Sequence, residues 1–192
     1  MEYIGTADYA SPVTRDEFKR AVHLSEDDTD DHELIDGLIL AATELVETAT
    51  NRPMLPREYR FALPGGDWRR WWFPAAPVAE VSGIEWRAGG EWQTLDPAAC
   101  ALEHGFDEPQ LLLPTDYMAS RLGALEMRVT AVAGFGTGAA PLRMKRAVIF
   151  IVKDWLDAGI AVDHSEHMRV SFGCKIIIKQ ARYRRPHVVA GA

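Results

Sequence analysis

The residues best equipped for chemistry lie between Asp163 and His167. Asp163-His164-Ser165-Glu166-His167 sets two imidazoles and two carboxylates in one short run. Histidines three apart share a helix face and can hold one metal ion. On that reading the chain is a small metal-dependent hydrolase using His164, Glu166 and His167. No third ligand follows at a family spacing, and the segment comes after a helix stop, where polar residues are expected. The sequence therefore favours a polar connection over a metal site.

A second candidate is Gly134-Phe135-Gly136-Thr137-Gly138-Ala139, which fits the dinucleotide fingerprint G-x-G-x-x-G/A between a strand and a helix. The preceding strand alternates polar and apolar residues, unlike a doubly buried parallel strand. Pro141 opens the following helix and leaves one fewer N–H to hold a phosphate. No further βαβ units surround it, so a glycine-rich connection is the better reading. No activated nucleophile is visible, because G-x-S-x-G is missing and neither Cys100 nor Cys174 sits in a motif. Both read as free thiols of a reducing compartment.

Trp68, Trp71, Trp72, Trp86 and Trp92 crowd one window. Neighbours on a strand face opposite sides. Trp71 and Trp72 therefore cannot both point inward, and they are candidates for an interface with another subunit or a partner protein, together with Phe150 and Trp155.

The element that must position the rest is a long amphipathic helix over 28–53. Leu34, Ile35, Leu38, Ile39, Ala42, Leu45, Val46 and Ala49 recur at helical spacing. Asp30 and Glu33 resemble a capping box, and Asn51-Arg52-Pro53 ends the helix. Between Leu24 and Thr50 stand nine acids (Glu26, Asp27, Asp28, Asp30, Asp31, Glu33, Asp36, Glu44 and Glu47) and no lysine or arginine. The net charge is −7, so the remainder of the chain sums to +2. Acids are favoured near a helix N-terminus, which gives a solvated face; the sharper reading is an anionic surface.

Before it, 1–12 reads as a loose arm, and Thr14 with Glu17 opens a short helix between Val13 and Phe18. After Pro53 the period changes to two. Strands are expected at 59–63, 70–74, 81–87, 92–95, 111–113 and 125–131, with a hairpin turn at 88–91. Pro141 starts a third main helix that ends at Gly159, and its 147–152 run is apolar nearly all round, fit to be buried on more than one side. From Asp163 to the end there are six cations and two anions, and Lys175 to Lys179 is open between strand and helix.

The expected fold class is α+β, a small helical bundle with an antiparallel β insertion between the second and third main helices. The divisions are 1–56 helical, 57–138 β insertion, 139–162 third helix packing on 1–56, and 163–192 a basic docking segment. The length of 192 residues, 47% hydrophobic and 26% charged, suits one globular domain with an insertion. No apolar run approaches 18 residues, and the acidic start does not read as a signal peptide. A pI near 5.4 argues against a protein that grips DNA through clustered cations.

These stretches together resemble the head–tail connector, or adaptor, family of long-tailed phages and gene transfer agents. The resemblance covers about 12–158. It rests on Pro12-Val13-Thr14, the acidic link, Leu34-Ile35 through Ala41-Ala42 to Val46-Glu47 and Thr50-Asn51-Arg52, and Pro74 to Pro77 with Val78 and Val81. Trp92-Gln93-Thr94-Leu95-Asp96-Pro97, Val129 to Gly136, and Pro141 with Ala147 to Trp155 complete it. It implies a non-enzymatic virion protein without cofactor or metal. Such a protein assembles in the bacterial cytoplasm into a ring, usually twelve-fold, in the neck beneath the portal protein. The ring extends the DNA channel and docks a stopper and tail, with no membrane involved. By that analogy Lys179, Arg182, Tyr183, Arg184 and Arg185 contact the portal. This chain's end is longer, more basic and less clearly helical than the family pattern. Physically, anionic walls at Glu26, Asp27, Asp28, Asp30 and Asp31 would let DNA pass without holding it. A tail-completion protein is the other structural reading.

Overall fold

The computed structural model describes residues 1–5, 9–25, 31–64, 68–117, 126–159 and 170–186. Its helices and antiparallel sheets make it α+β, with the strands of 57–133 lying between the second and third main helices. The chain divides into two compact units: one of Asp8–Leu55 and Phe135–Arg182, the other of Met1–Ala7, Pro56–Gly134 and Tyr183–Ala192.

The helical unit starts at Thr14. Its hydroxyl accepts from the Glu17 N–H, and the Glu17 carboxylate accepts from the Thr14 N–H, which opens α1 (Arg15–Val22) with a full capping box. His23 closes α1 in the left-handed region at φ 60°. The long helix α2 spans His32–Thr50. Asp31 stands at its N-cap without a side-chain cap bond, and Asp30, expected to form a box with Glu33, lies outside the described residues. Asn51, at φ 55°, ends it in the left-handed conformation that asparagine tolerates. α3 (Leu142–Asp157) follows Pro141, and Gly159 at φ 64° finishes its last turn. The undecided 175–179 run is helical, inside α4 (Phe172–Ala181).

α2 packs against α3 and α4, α3 packs against α4, and α1 lies across α2 and α3. Val13, Phe18, Ile35, Leu38, Ile39, Ala42, Val46, Met144, Ala147, Val148, Ile151, Val152, Trp155 and Cys174 make one core. Ser11 and Thr43 share a 2.7 Å hydroxyl contact, and the Tyr9 hydroxyl donates to Glu47 Oε2 at 2.7 Å. The segment read as a loose arm is thus tied down here.

In the β unit, the first residues are ordered as well. β1 (Glu2–Tyr3) pairs with β2 (Arg57–Pro64), which pairs with β8 (Glu126–Ala133). β4 (Val78–Arg87) lies on the far side of β8, with β5 (Gln93–Leu95) at the edge. The order is β1-β2-β8-β4-β5, antiparallel throughout. A smaller sheet sets β7 (Gln110–Leu112) between β3 (Arg70–Trp72) and β6 (Ala101–Glu103). Tyr59, Phe61, Ile84, Met127, Val129 and Ala131 of the large sheet share a core with Trp71, Phe73, Leu111 and Leu113. Phe61, Trp71 and Phe73 meet edge to face, with centroids 4.8 to 6.2 Å apart.

Candidate interaction surfaces

Glu26, Asp27, Asp28 and Asp30, and the His164, Glu166 and His167 cluster, lie outside the described residues. Asp31 is described and exposed. Along α2 the remaining acids divide. Glu33, Asp36 and Glu44 are exposed, whereas Glu47 is 9% exposed and structural. Its two oxygens take the Tyr9 hydroxyl and the Met54 N–H, which fix the chain as it leaves the helix. Arg52, buried beside it, donates from Nε to the Ala181 carbonyl at 2.8 Å and so caps the C-terminal end of α4. Asn51 stops the helix as the sequence expects, whereas Glu47 is not part of a solvated acidic face.

Of the residues expected at contact surfaces, Trp71, Trp155 and Tyr183 are buried. Trp71 is 4% exposed and Trp155 wholly buried, so both belong to cores and neither presents a contact surface. Trp72, on the opposite face of its strand, is half-buried, and Phe150 is 48% exposed. Of the apolar 147–152 run, Phe150 alone is exposed. In the C-terminal segment Lys179, Arg182, Arg184 and Arg185 are exposed. Tyr183 is 3% exposed; its hydroxyl donates to the Phe73 carbonyl at 3.0 Å. It is an anchor, and Arg185 beyond it stacks over Trp71 at 5.3 Å.

Three amides of the glycine-rich segment bond within the chain. Gly134 N–H donates to the Pro77 carbonyl, Phe135 N–H to Pro53, and Ala139 N–H to Gly136. Those three donors are not available to a phosphate, which favours the reading as a connection between β8 and α3. Among the described residues, no three His, Cys, Asp or Glu side chains gather as a metal site, and no helix is long and apolar enough to cross a membrane.

The outer face of the large sheet carries a charged ladder that the sequence reading missed. Arg128 donates to both Glu85 oxygens at 2.6 and 2.7 Å. That bond holds Glu85 below the usual carboxylate range and raises Arg128. Arg87 donates to Glu126 at 2.8 Å, and the guanidinium groups of Arg87 and Arg128 both stack on the Trp92 ring, 4.7 and 4.0 Å from its centroid. Arg60, Trp92, Arg128, Glu2 and Glu126 line a groove of about 410 Å³ beside this ladder. Alternating charges on facing strands were its only signal, and the register was needed to read it.

No protein-family model matches the chain, and no curated protein matches it. Solved structures do. A chain in the neck of an empty gene transfer agent particle, computed with C6 symmetry, superposes with a TM-score of 0.70 at 20% identity, over 100% of this chain and 99% of that one. One in the neck of a native particle, computed with C12 symmetry, gives 0.66 at 22% over the same shares. A chain in the native particle's virion gives 0.68 at 22% over 95% of both. The chain has the fold of these neck chains. The likeness runs end to end, so both the helical unit and the β unit belong to the shared fold.

Proposed function

We propose that the chain is a structural adaptor in the neck of a phage-like particle. The observation that carries this is the end-to-end agreement in fold with chains of gene transfer agent necks computed with C6 and C12 symmetry. On this reading copies of the chain close into a ring under a portal protein, extend the DNA channel and offer a docking surface to a stopper and tail. The protein works by shape and charge, not by turnover. Glu26, Asp27, Asp28, Asp30 and Asp31, repeated around the ring, form an anionic wall that phosphates pass without adhering. Lys179, Arg182, Arg184 and Arg185 engage the portal, while Tyr183 holds the tail that carries the arginines. A cationic segment on an acidic protein suits an acidic partner surface.

The test is co-purification with the portal protein of the same particle. The full chain is expected to bind it, and Arg182→Glu, Arg184→Glu and Arg185→Glu together should weaken binding by more than about tenfold. Binding to tail-tube protein instead of portal would favour the tail-completion role. Absence of portal binding in the unaltered chain would remove the adaptor reading.

A further inference from the structure

The exposed faces of α2 and α3 are opposite in sign, and each carries a large apolar residue between its charges, with Leu142 also exposed at the start of α3. On α2, Glu33, Asp36, Leu40 and Glu44 recur at three- and four-residue spacing and are all exposed. That helix has no lysine or arginine. On α3, Arg143, Arg146, Phe150 and Lys153 recur in the same way and are all exposed. Lys153 reaches Asp157 at 2.6 Å, and Asp36 lies 3.5 Å from Arg15 at the rim. Among the described residues Glu33, Glu44, Arg143 and Arg146 make no ion pair or hydrogen bond through their side chains.

We propose that these stripes are the two halves of one contact between copies of this chain. The acidic face of α2 in one copy docks on the basic face of α3 in the next, with Leu40 against Phe150 and the charges around them. The proposal rests on the ring reading above and gives it a surface. A head-to-tail ring needs two different, complementary patches on every subunit. Here one helix supplies anions and the other cations, and each keeps a large apolar side chain in the middle of its stripe, the arrangement of an anchored contact with a polar rim. The same charges oppose the competing pairings. α2 on α2 sets acid against acid, and α3 on α3 sets base against base, so pairings of either stripe with its own copy are disfavoured.

The experiment traps the contact covalently in the full chain. Leu40→Cys and Phe150→Cys are combined with Cys100→Ser, which removes the half-buried native thiol, and the protein is oxidised. A ladder of multimers is expected, whereas either new cysteine alone stops at dimer. Arg143→Glu with Arg146→Glu, or Glu33→Lys with Glu44→Lys, is expected to cut the ladder by more than about tenfold. All four reversals together restore complementarity and the ladder. Mixing the two singly reversed proteins restores it too, in alternating order. Circular dichroism verifies that each variant folds. No ladder, or one indifferent to reversal, or reversal without rescue, overturns the proposal. Electron microscopy of the unaltered chain with portal separates the two readings. Rings together with an indifferent ladder overturn this contact and leave the ring, whereas no rings and no ladder overturn both.

Discussion

Glu47 Oε1 accepts a 2.6 Å hydrogen bond from the backbone N–H of Met54, so the last turn of α2 grips the chain seven residues further on. The other oxygen holds the Tyr9 hydroxyl, and the side chain is almost wholly buried. Glu47→Ala leaves two donors without their acceptor, one of them on a buried backbone, and should lower the unfolding free energy by about 3 kcal/mol. Glu47→Gln keeps an acceptor for one donor and should cost less. Urea denaturation of the three proteins checks the order; an alanine variant as stable as the parent would show the carboxylate to be dispensable.

A second carboxylate links stability to pH. Burial alone would raise the Glu17 carboxyl, but the hydrogen bonds from Lys145 Nζ at 2.9 Å and from the Thr14 N–H outweigh it and hold the group below its ordinary range. A carboxylate held low contributes stability above the ordinary carboxylate range and loses it as pH falls through the lower folded value. Glu17→Gln should therefore lower Tm at neutral pH, and the gap to the parent should shrink as the solution is acidified. A gap independent of pH would contradict this.

The thiols should be quiet in the native state. Burial pushes the Cys100 thiol up to about 11, with Asp96 adding to the effect, and burial raises Cys174 as well. Only the thiolate reacts, so iodoacetamide at neutral pH should label neither position quickly, and both should label once the chain is unfolded in denaturant. Rapid native labelling of Cys174 would mean that its helix opens readily. The forecast follows from burial, which lone cysteines without a motif do not reveal in the sequence.

Trp155 fills the helical core, and its indole N–H has no acceptor among the described residues. Removing the ring altogether opens a cavity, and Trp155→Ala should cost about 3–5 kcal/mol. Trp155→Phe keeps most of the volume and discards an unpaired donor, so it should cost much less. Thermal unfolding separates them; equal losses would show that the N–H is satisfied in solution.

Much of this fold was legible because it rests on periodicity. The apolar face of α2, the capping box at Thr14 and the alternation of β8 are local signals, and each marks its element closely. What escaped depends on pairing across distance. Nothing near Glu2 says that it will face Arg60, and nothing in Lys175 to Lys179 chooses helix over strand until Cys174 and Ala181 find the helical core. The same holds for the surfaces. Trp155 looks like an anchor for a partner, and only its burial shows that the partner is its own chain. Glu47 and Glu44 are the same residue type three apart, yet one faces the core and the other solvent, and the backbone N–H of Met54 decides which does structural work.

In the adaptor role proposed above, copies of this chain close around a passage for DNA beneath a portal. A reconstruction of the chain assembled on the portal protein of its own particle tests it most directly. The expected result is a closed ring coaxial with the portal, the α2 N-terminus and Asp31 turned toward the lumen, and the Arg182 to Arg185 segment against the portal. A portal that carries single copies or none, or a ring whose lumen is lined by Lys and Arg with Asp31 on the outer rim, would contradict it.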